Sequence, residues 1–196
     1  MVVWTTHREG RDRPALTLNI SLALSTPLPL PLPIPTQHST GNLPPGIGDL
    51  TGLEGLEVGG NTLTFPSAGT TGPWLSKLVA LTRLDLSGNF QAGGISNMPD
   101  VSANTQLTYL NLKGCGFIGA LPAGFFVVGA VAFPGMAYLD LSGNDFSAAP
   151  AVPNFGLLTQ LTYLDVSGNV KFTGAFPDVT NLVLLADLKA ANCGFR

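Results

Sequence analysis

The sequence has few charged residues, and those it has do not favour a nucleic-acid partner. Only 11% of its 196 residues are Asp, Glu, Lys or Arg, and the formal net charge is −3. A mildly acidic chain without a basic run in its body lacks the positive surface that nucleic-acid binding requires. No apolar run approaches the ~20 residues of a membrane-spanning helix, so none is predicted in this chain.

Histidine is missing from most of the chain, because His7 and His38 both precede residue 39. A Ser-His-Asp or Cys-His site needs an imidazole or an equivalent base beside its nucleophile. No glycine-rich phosphate loop links a strand to a helix, and no cluster of residues encloses a metal ion. The sequence therefore predicts a protein that is not an enzyme, with no catalytic residue, metal site or cofactor.

The chain contains instead an internal repeat of nine-residue segments, which we number from position 1 to position 9. Position 1 is apolar in all six segments, as are positions 4 and 6, which alternate with polar residues as in a strand with one buried face. A turn pair such as Ser-Gly follows at positions 7 and 8 in several segments. The six segments begin at Leu53, Leu81, Leu107, Met136, Leu161 and Leu185.

Position 9 is Asn or Cys in every segment, which predicts a structural ladder. A buried amide there can donate to and accept from the backbones of its own coil and the adjacent one. A thiol is small enough to replace it. The two cysteines lie three coils apart, about 14 Å by strand spacing, so no disulfide is expected. The ladder consists of Asn61, Asn89, Cys115, Asn144, Asn169 and Cys193.

These segments resemble leucine-rich repeat proteins of the plant-type subclass. Variants of its L-x-G-x-I-P feature occur at residues 41–44, 117–122 and 172–177, whereas the tails after Asn61, Asn89 and Asn144 carry insertions. The resemblance covers residues 39–196 and implies an α/β-type solenoid. That fold is a horseshoe of about six coils, with a concave parallel β-sheet and an irregular or 3₁₀ convex side. The resemblance is closest to receptor-like or inhibitor-type ectodomains.

Residues 1–38 differ from the repeat domain. Proline recurs at every second position over 27–35, which favours polyproline II and excludes a sheet interior. The preceding stretch alternates like a strand that could cap the first coil, but it also faintly resembles a secretory leader. A leader, a mispredicted start and an N-terminal cap all remain alternatives for this low-complexity part of the chain, whether ordered or disordered.

Positions 3 and 5 predict a candidate ligand-binding surface, because they point away from the core onto the concave face. All three tyrosines of the chain occupy position 3 of consecutive segments, beside a mainly acidic row at position 5. Tyrosine rings beside carboxylates suit a sugar, a peptide or a cation. The tyrosines could instead only stabilise the sheet, and the aspartates could reflect the repeat template. The candidate residues are Arg83, Asp85, Tyr109, Asn111, Tyr138, Asp140, Tyr163 and Asp165.

The leading functional hypothesis is a non-catalytic recognition module that binds a protein, peptide or glycan ligand on the concave face. One alternative is a regulatory or sensing fragment of a larger leucine-rich repeat receptor kinase or other enzyme. Another is a structural surface, scaffold or ice-binding protein, for which Thr82, Thr108 and Thr162 suggest a threonine array.

The last segment predicts an open edge, with Leu188 and Phe195 left uncovered. We therefore expect either further repeats or end-to-end self-association. The resemblance and a single sequon at Asn19 lean mildly towards the cell surface, with a cytoplasmic location as the alternative.

Overall fold

The structure is a computed structural model that describes residues 16–19, 40–43, 45–65, 74–89, 98–121, 133–147 and 154–196. The proline-rich stretch 27–35 lies outside the described residues. So do most of the insertions that follow Asn61, Asn89 and Asn144.

The described residues form eleven short strands, each of three to five residues. They are β1 (Leu16–Asn19), β2 (Thr40–Asn42), β3 (Leu53–Glu57), β4 (Thr62–Thr64), β5 (Arg83–Asp85), β6 (Tyr109–Asn111), β7 (Ile118–Ala120), β8 (Tyr138–Asp140), β9 (Asp145–Ser147), β10 (Tyr163–Asp165) and β11 (Asp187–Lys189). Seven of them make one parallel sheet in the order β1-β3-β5-β6-β8-β10-β11. From β3 to β11 the sheet therefore contains one strand from each predicted repeat segment.

The apolar positions of the repeat fix the register of this sheet. Leu110 at position 4 pairs with Leu84 on one side and with Leu139 on the other. All three side chains are fully buried. Burying one leucine contributes roughly 1.5–3 kcal/mol, and a slip of one residue would expose the whole column. The repetition of apolar residues at positions 4 and 6 thus sets both the strands and their alignment.

The opposite side of the solenoid is irregular, with two small parallel pairs, β2-β4 and β7-β9, and short 3₁₀ helices. The helices span Pro45–Asp49, Leu75–Lys77 and Phe155–Leu157. A tight turn precedes each strand of the seven-stranded sheet from β3 onwards. In one case, the backbone N–H of Leu81 donates to the carbonyl of Leu78 at 3.1 Å. The predicted horseshoe with a parallel sheet and a 3₁₀ convex side is therefore confirmed.

A column of phenylalanine rings fills the space behind the sheet. Phe117, Phe146, Phe172 and Phe195 follow one another with ring centroids 6.3, 6.3 and 5.9 Å apart. The first three are almost fully buried, so they form an inward core column. Phe195 is only partly buried, because it lies in the last coil.

Strand β1 lies at the first edge of the sheet, where it pairs in parallel with β3. This is the position that the capping-strand alternative assigns to it. At the other edge, all three residues of β11 are exposed, including Leu188. Within the described part of the chain, no helix has the length and apolar character needed to cross a membrane.

Candidate functional site

The Asn/Cys ladder joins neighbouring coils through their backbones. The amide of Asn89 donates to the carbonyls of Leu86 in its own coil, at 2.8 Å, and Val58 in the preceding coil, at 2.9 Å. Its oxygen accepts from the backbone N–H of Leu63 at 2.9 Å. The thiol of Cys115 donates to the Leu86 carbonyl at 3.1 Å. These groups are used in stabilising the solenoid, so they do not belong to a ligand site.

The aspartates at position 5 have a local structural role. The sequence indicated only that they could belong to the repeat template. The carboxylates of Asp85, Asp140 and Asp165 each accept the backbone N–H two residues later, at 2.9 Å in all three cases. This bond closes a tight turn at the end of each strand. The next residue is then left-handed, with φ of +66° at Gly88 and +65° at Gly143. Each of these aspartates therefore uses one oxygen to end its strand.

The three tyrosines form a continuous stack on adjacent strands. The ring centroids of Tyr109 and Tyr138 are 4.3 Å apart, and those of Tyr138 and Tyr163 are 4.4 Å apart. The ring planes are inclined by only 11° and 6°. The predicted tyrosine ladder is thus present on β6, β8 and β10, with all three residues half-buried.

A cation covers each end of the tyrosine stack. The guanidinium of Arg83 lies 3.5 Å from the centroid of the Tyr109 ring, and it also forms an ion pair with Glu57. The ammonium of Lys189 lies 4.8 Å from the Tyr163 ring centroid and donates to its hydroxyl at 3.2 Å. Arg83 was among the candidate residues, whereas Glu57 and Lys189 were not. Both residues occupy position 5 of their repeat segments, and this shared position could have identified them in the sequence.

The row at position 5 is less open than the sequence suggested. Asp85 accepts from the amide of Asn111 at 3.1 Å and from the Ser87 hydroxyl at 2.6 Å. Asp140 and Asp165 are only 2% and 6% exposed. They are buried because the neighbouring coils lie close on both sides, an effect that an alternation of inward and outward residues does not reveal.

Burial raises the pKa of Tyr138, and the charge of Asp140 raises it further. The hydrogen bond with the Tyr163 hydroxyl is the first cause that raises the pKa of Lys189. The central hydroxyl of the stack, that of Tyr138, is therefore held in its neutral form, in which it can donate a hydrogen bond.

The two cysteines and the possible metal ligands are the other reactive side chains among the described residues. Burial raises the pKa of the Cys115 thiol to about 12, so it is not available as a nucleophile. Both cysteines are free, as predicted. No group of three or more His, Cys, Asp or Glu suited to a metal occurs in the parts of the chain that the structure covers.

Together, the parallel sheet, the ladder and the phenylalanine column define a solenoid of leucine-rich repeats. The Leucine Rich Repeat family model matches residues 106–127. The chain is 32% identical over 149 residues to Receptor-like protein 39 of Arabidopsis thaliana, a match that covers 75% of this chain and 16% of that protein. This chain is a leucine-rich repeat protein that is similar to plant receptor-like proteins, and it spans about a sixth of the length of that relative.

Two solved structures are similar to the chain over most of its length. The ectodomain of the receptor kinase GASSHO1/SCHENGEN3 from Arabidopsis thaliana, in complex with CASPARIAN STRIP INTEGRITY FACTOR 2, is 25% identical with a TM-score of 0.65. The match covers 83% of this chain and 18% of that one. The Arabidopsis HAESA ectodomain, in complex with an IDA peptide hormone ligand, is 25% identical with a TM-score of 0.58. That match covers 81% and 29% of the two chains.

Proposed function

We propose that the chain is a non-catalytic recognition module that binds an extended peptide or protein segment on its concave face. The observation that carries this proposal is the tyrosine stack, a flat row of three hydroxyls that runs across adjacent strands between charged groups. From β3 to β11 the face spans five strand spacings, or ~24 Å. An extended peptide of about seven residues would cross it.

A peptide fits this surface better than a sugar does. Sugar rings bind tyrosine mainly through the ring faces, and here the ring faces cover one another. Arg83 and Lys189 cover the two that remain at the ends of the stack. What a ligand can reach is the ring edges, the hydroxyls and the narrow exposed part of the carboxylate row, which match backbone N–H groups and donor side chains.

The relatives support the same ligand class. The HAESA ectodomain, which is similar to this chain, was solved with a peptide hormone ligand. Because this chain spans under a third of that ectodomain, we propose it as the ligand-binding segment of a longer array, which includes the alternative of a receptor kinase fragment. The same relationship favours a location at the cell surface, where a receptor-like module would meet a peptide or protein partner.

The threonine array that suggested the structural or ice-binding alternative is not free to bind water or ice. The hydroxyls of Thr82 and Thr108 donate to backbone carbonyls of the preceding coil, both at 3.1 Å. The hydroxyl of Thr162 does the same at 3.0 Å. Their donors are used within the sheet, so they do not form a free array for water or ice.

Selection of binders from a random dodecapeptide display library would test the proposal. Tyr138→Ala, Tyr163→Ala and Asp140→Ala should each weaken the selected peptides by at least tenfold. Lys171→Ala is the matched control, because Lys171 is exposed on the convex side and pairs with Asp145. If all three concave variants keep affinity within about 0.5 kcal/mol, the binding site lies elsewhere.

A further inference from the structure

Two buried carboxylates lie side by side on the concave face without a cation. Asp140 on β8 and Asp165 on β10 are paired in register. Each uses Oδ1 in the turn that ends its strand. Oδ2 of Asp140 accepts no hydrogen bond from a described residue, and Oδ2 of Asp165 has only the Tyr163 hydroxyl at 3.5 Å.

The nearest basic residues of the stack are occupied by other groups. Arg83 pairs with Glu57 and covers Tyr109. Lys189 is opposite Asp165 in register, yet its ammonium donates to the Tyr163 hydroxyl instead. Neither Asp140 nor Asp165 forms an ion pair within the described ranges. Two adjacent carboxylates with so little contact with water favour a cation strongly.

A second polar group at this place also lacks a partner. Ser142 is only 5% exposed, and its Oγ makes no hydrogen bond. The backbone N–H of Ser142 donates to Asp140 at 2.9 Å, so this residue lies beside that carboxylate. Its hydroxyl makes no bond of the kind by which the Ser87 hydroxyl donates to Asp85 in the equivalent turn. A buried hydroxyl without a partner is costly, and it points to a group that the described residues do not supply.

We propose that Asp140, Asp165 and Ser142 form a subsite for one basic side chain of a peptide ligand, with arginine as the preferred residue. This inference rests on the proposed function and specifies the chemistry of its ligand. A guanidinium is planar and has five donors, so it can bridge two carboxylates on strands ~4.8 Å apart and also donate to the serine oxygen. The small exposed fraction of both aspartates admits a flat group edge-on rather than a hydrated metal ion.

The subsite can be probed directly by NMR, with the small molecule N-acetyl-arginine amide as the probe. The backbone N–H groups of Ser142 and Ser167 donate to the two carboxylates, so their signals report on a bound cation. We expect saturable shifts of both signals, with an affinity at least tenfold above that of the neutral isostere N-acetyl-citrulline amide. Equal shifts with the two compounds would overturn the proposal.

Three variants sharpen this experiment. Asp140→Asn keeps an oxygen for the Ser142 N–H and removes the charge, and it should weaken the arginine probe at least tenfold. Asp49→Asn makes the same charge change at an exposed convex residue, and it should leave the affinity within twofold. Ser142→Ala removes the unpartnered hydroxyl and should weaken the probe severalfold without lowering the melting temperature. Calcium chloride that shifts the same two signals at lower concentrations than the arginine probe would contradict the assignment and indicate a metal site.

The dodecapeptides selected for the proposed function separate failure of this inference from failure of that function. Replacing their arginines and lysines by glutamine should weaken them at least tenfold. Peptides that need Tyr138 but tolerate this replacement would leave the proposed function intact and overturn the basic subsite. Peptides that ignore both the concave variants and the replacement would overturn the two together.

Discussion

The rings of Tyr138 and Tyr163 lie face to face on adjacent strands, with centroids 4.4 Å apart and planes inclined by 6°. Adjacent strands are separated by ~4.8 Å, so equivalent positions bring two rings close to van der Waals contact. Tyr109 covers the other face of Tyr138. Water is thus kept from both faces of the central ring, which couples the ionisation of its hydroxyl to the folding of the sheet.

We expect the Tyr138 hydroxyl to ionise at a higher pH than an ordinary tyrosine. Burial is the main cause of its raised pKa, and the charge of Asp140 adds to it. The unfolded chain releases this proton near the ordinary value of 10.0, and the folded chain retains it to higher pH. The resulting contribution to the free energy of unfolding is present below pH 10 and is lost as the pH rises through the folded pKa. Phenolate absorbance across a pH titration measures the ionisation.

Tyr138→Phe is the matched variant for this titration, because it keeps a ring in the stack and removes one hydroxyl. Compared with the wild type, the variant should show a smaller rise in phenolate absorbance only at the most alkaline end of the titration curve. A loss below pH 10 would show that Tyr138 is not the tyrosine that ionises late.

The backbone conformation at Gly143, which occupies position 8 of its segment, is expected to require glycine. Its φ of +65° is left-handed, which costs a residue with a side chain roughly 1–2 kcal/mol. Gly143→Ala should therefore lower the free energy of unfolding by about that amount. Gly168→Ala should cost more, because its new Cβ would also lie 3.3 Å from the backbone of Gly143. Urea unfolding of each variant measures the difference.

Gly52→Ala provides the control for the position 8 variants. An added Cβ there meets nothing within 4 Å, and its φ is not in the left-handed range. Its stability should stay within about 0.5 kcal/mol of the wild type. A cost for Gly143→Ala no larger than that of Gly52→Ala would show that the turn tolerates a side chain.

The sheet could be predicted from the sequence because each position of the repeat has the same structural role in every coil. Leu110 and Leu139 are apolar for the same reason in successive coils, so the phase of the repeat gives strands, register and core together. The tyrosine stack followed from the same phase, since three equivalent positions carry the same residue. Where the repeat is interrupted, as in the insertion after Asn61, the phase is lost and the sequence no longer predicts the backbone.

The finer features of the candidate site depend on contacts that no repeat phase encodes. The position of Arg83 over Tyr109 is a property of a long side chain that also pairs with Glu57. The burial of Asp140 depends on the side chains of both adjacent coils. The turn that this aspartate closes also explains why it recurs. Its presence in the sequence therefore does not distinguish its structural role from the proposed role in binding, which depends on the second carboxylate oxygen.

The two thiols are expected to react at different rates in the folded protein. Cys115 is 3% exposed, and burial raises its pKa to about 12, so about 10⁻⁴ of it is thiolate at pH 8. Burial raises the pKa of Cys193 as well, but that residue is only partly covered. A thiol-specific chromogenic reagent should therefore modify Cys193 at least tenfold faster than Cys115, as read from the time course.

Two comparisons test the assignment of the thiols. Cys193→Ser should remove the faster phase and leave the slower one. The wild-type chain unfolded without reductant should give two free thiols. A monomer without free thiols under those conditions would contradict the prediction that the cysteines are not bonded to each other.

Asn144 is expected to contribute more to stability than any single exposed asparagine, because its amide joins two coils. It donates to the carbonyls of Leu112 at 2.8 Å and Leu141 at 2.9 Å. It accepts from the backbone N–H of Phe117 at 3.0 Å. Asn144→Ala leaves these buried groups without partners and should lower the free energy of unfolding by roughly 2–4 kcal/mol, measured by urea unfolding.

Replacement by cysteine tests whether hydrogen bonding or side-chain volume is responsible. The thiol of Cys115 donates to the Leu86 carbonyl of the preceding coil, so Asn144→Cys should restore the equivalent bond to Leu112. It does not restore the acceptor for Phe117, and we therefore expect about half the cost of the alanine variant. Asn181→Ala is the control, because it makes the same change at an exposed asparagine. If the alanine variants at 144 and 181 cost the same, the ladder does not hold the coils together, and the stability of the solenoid comes from its leucine and phenylalanine columns alone.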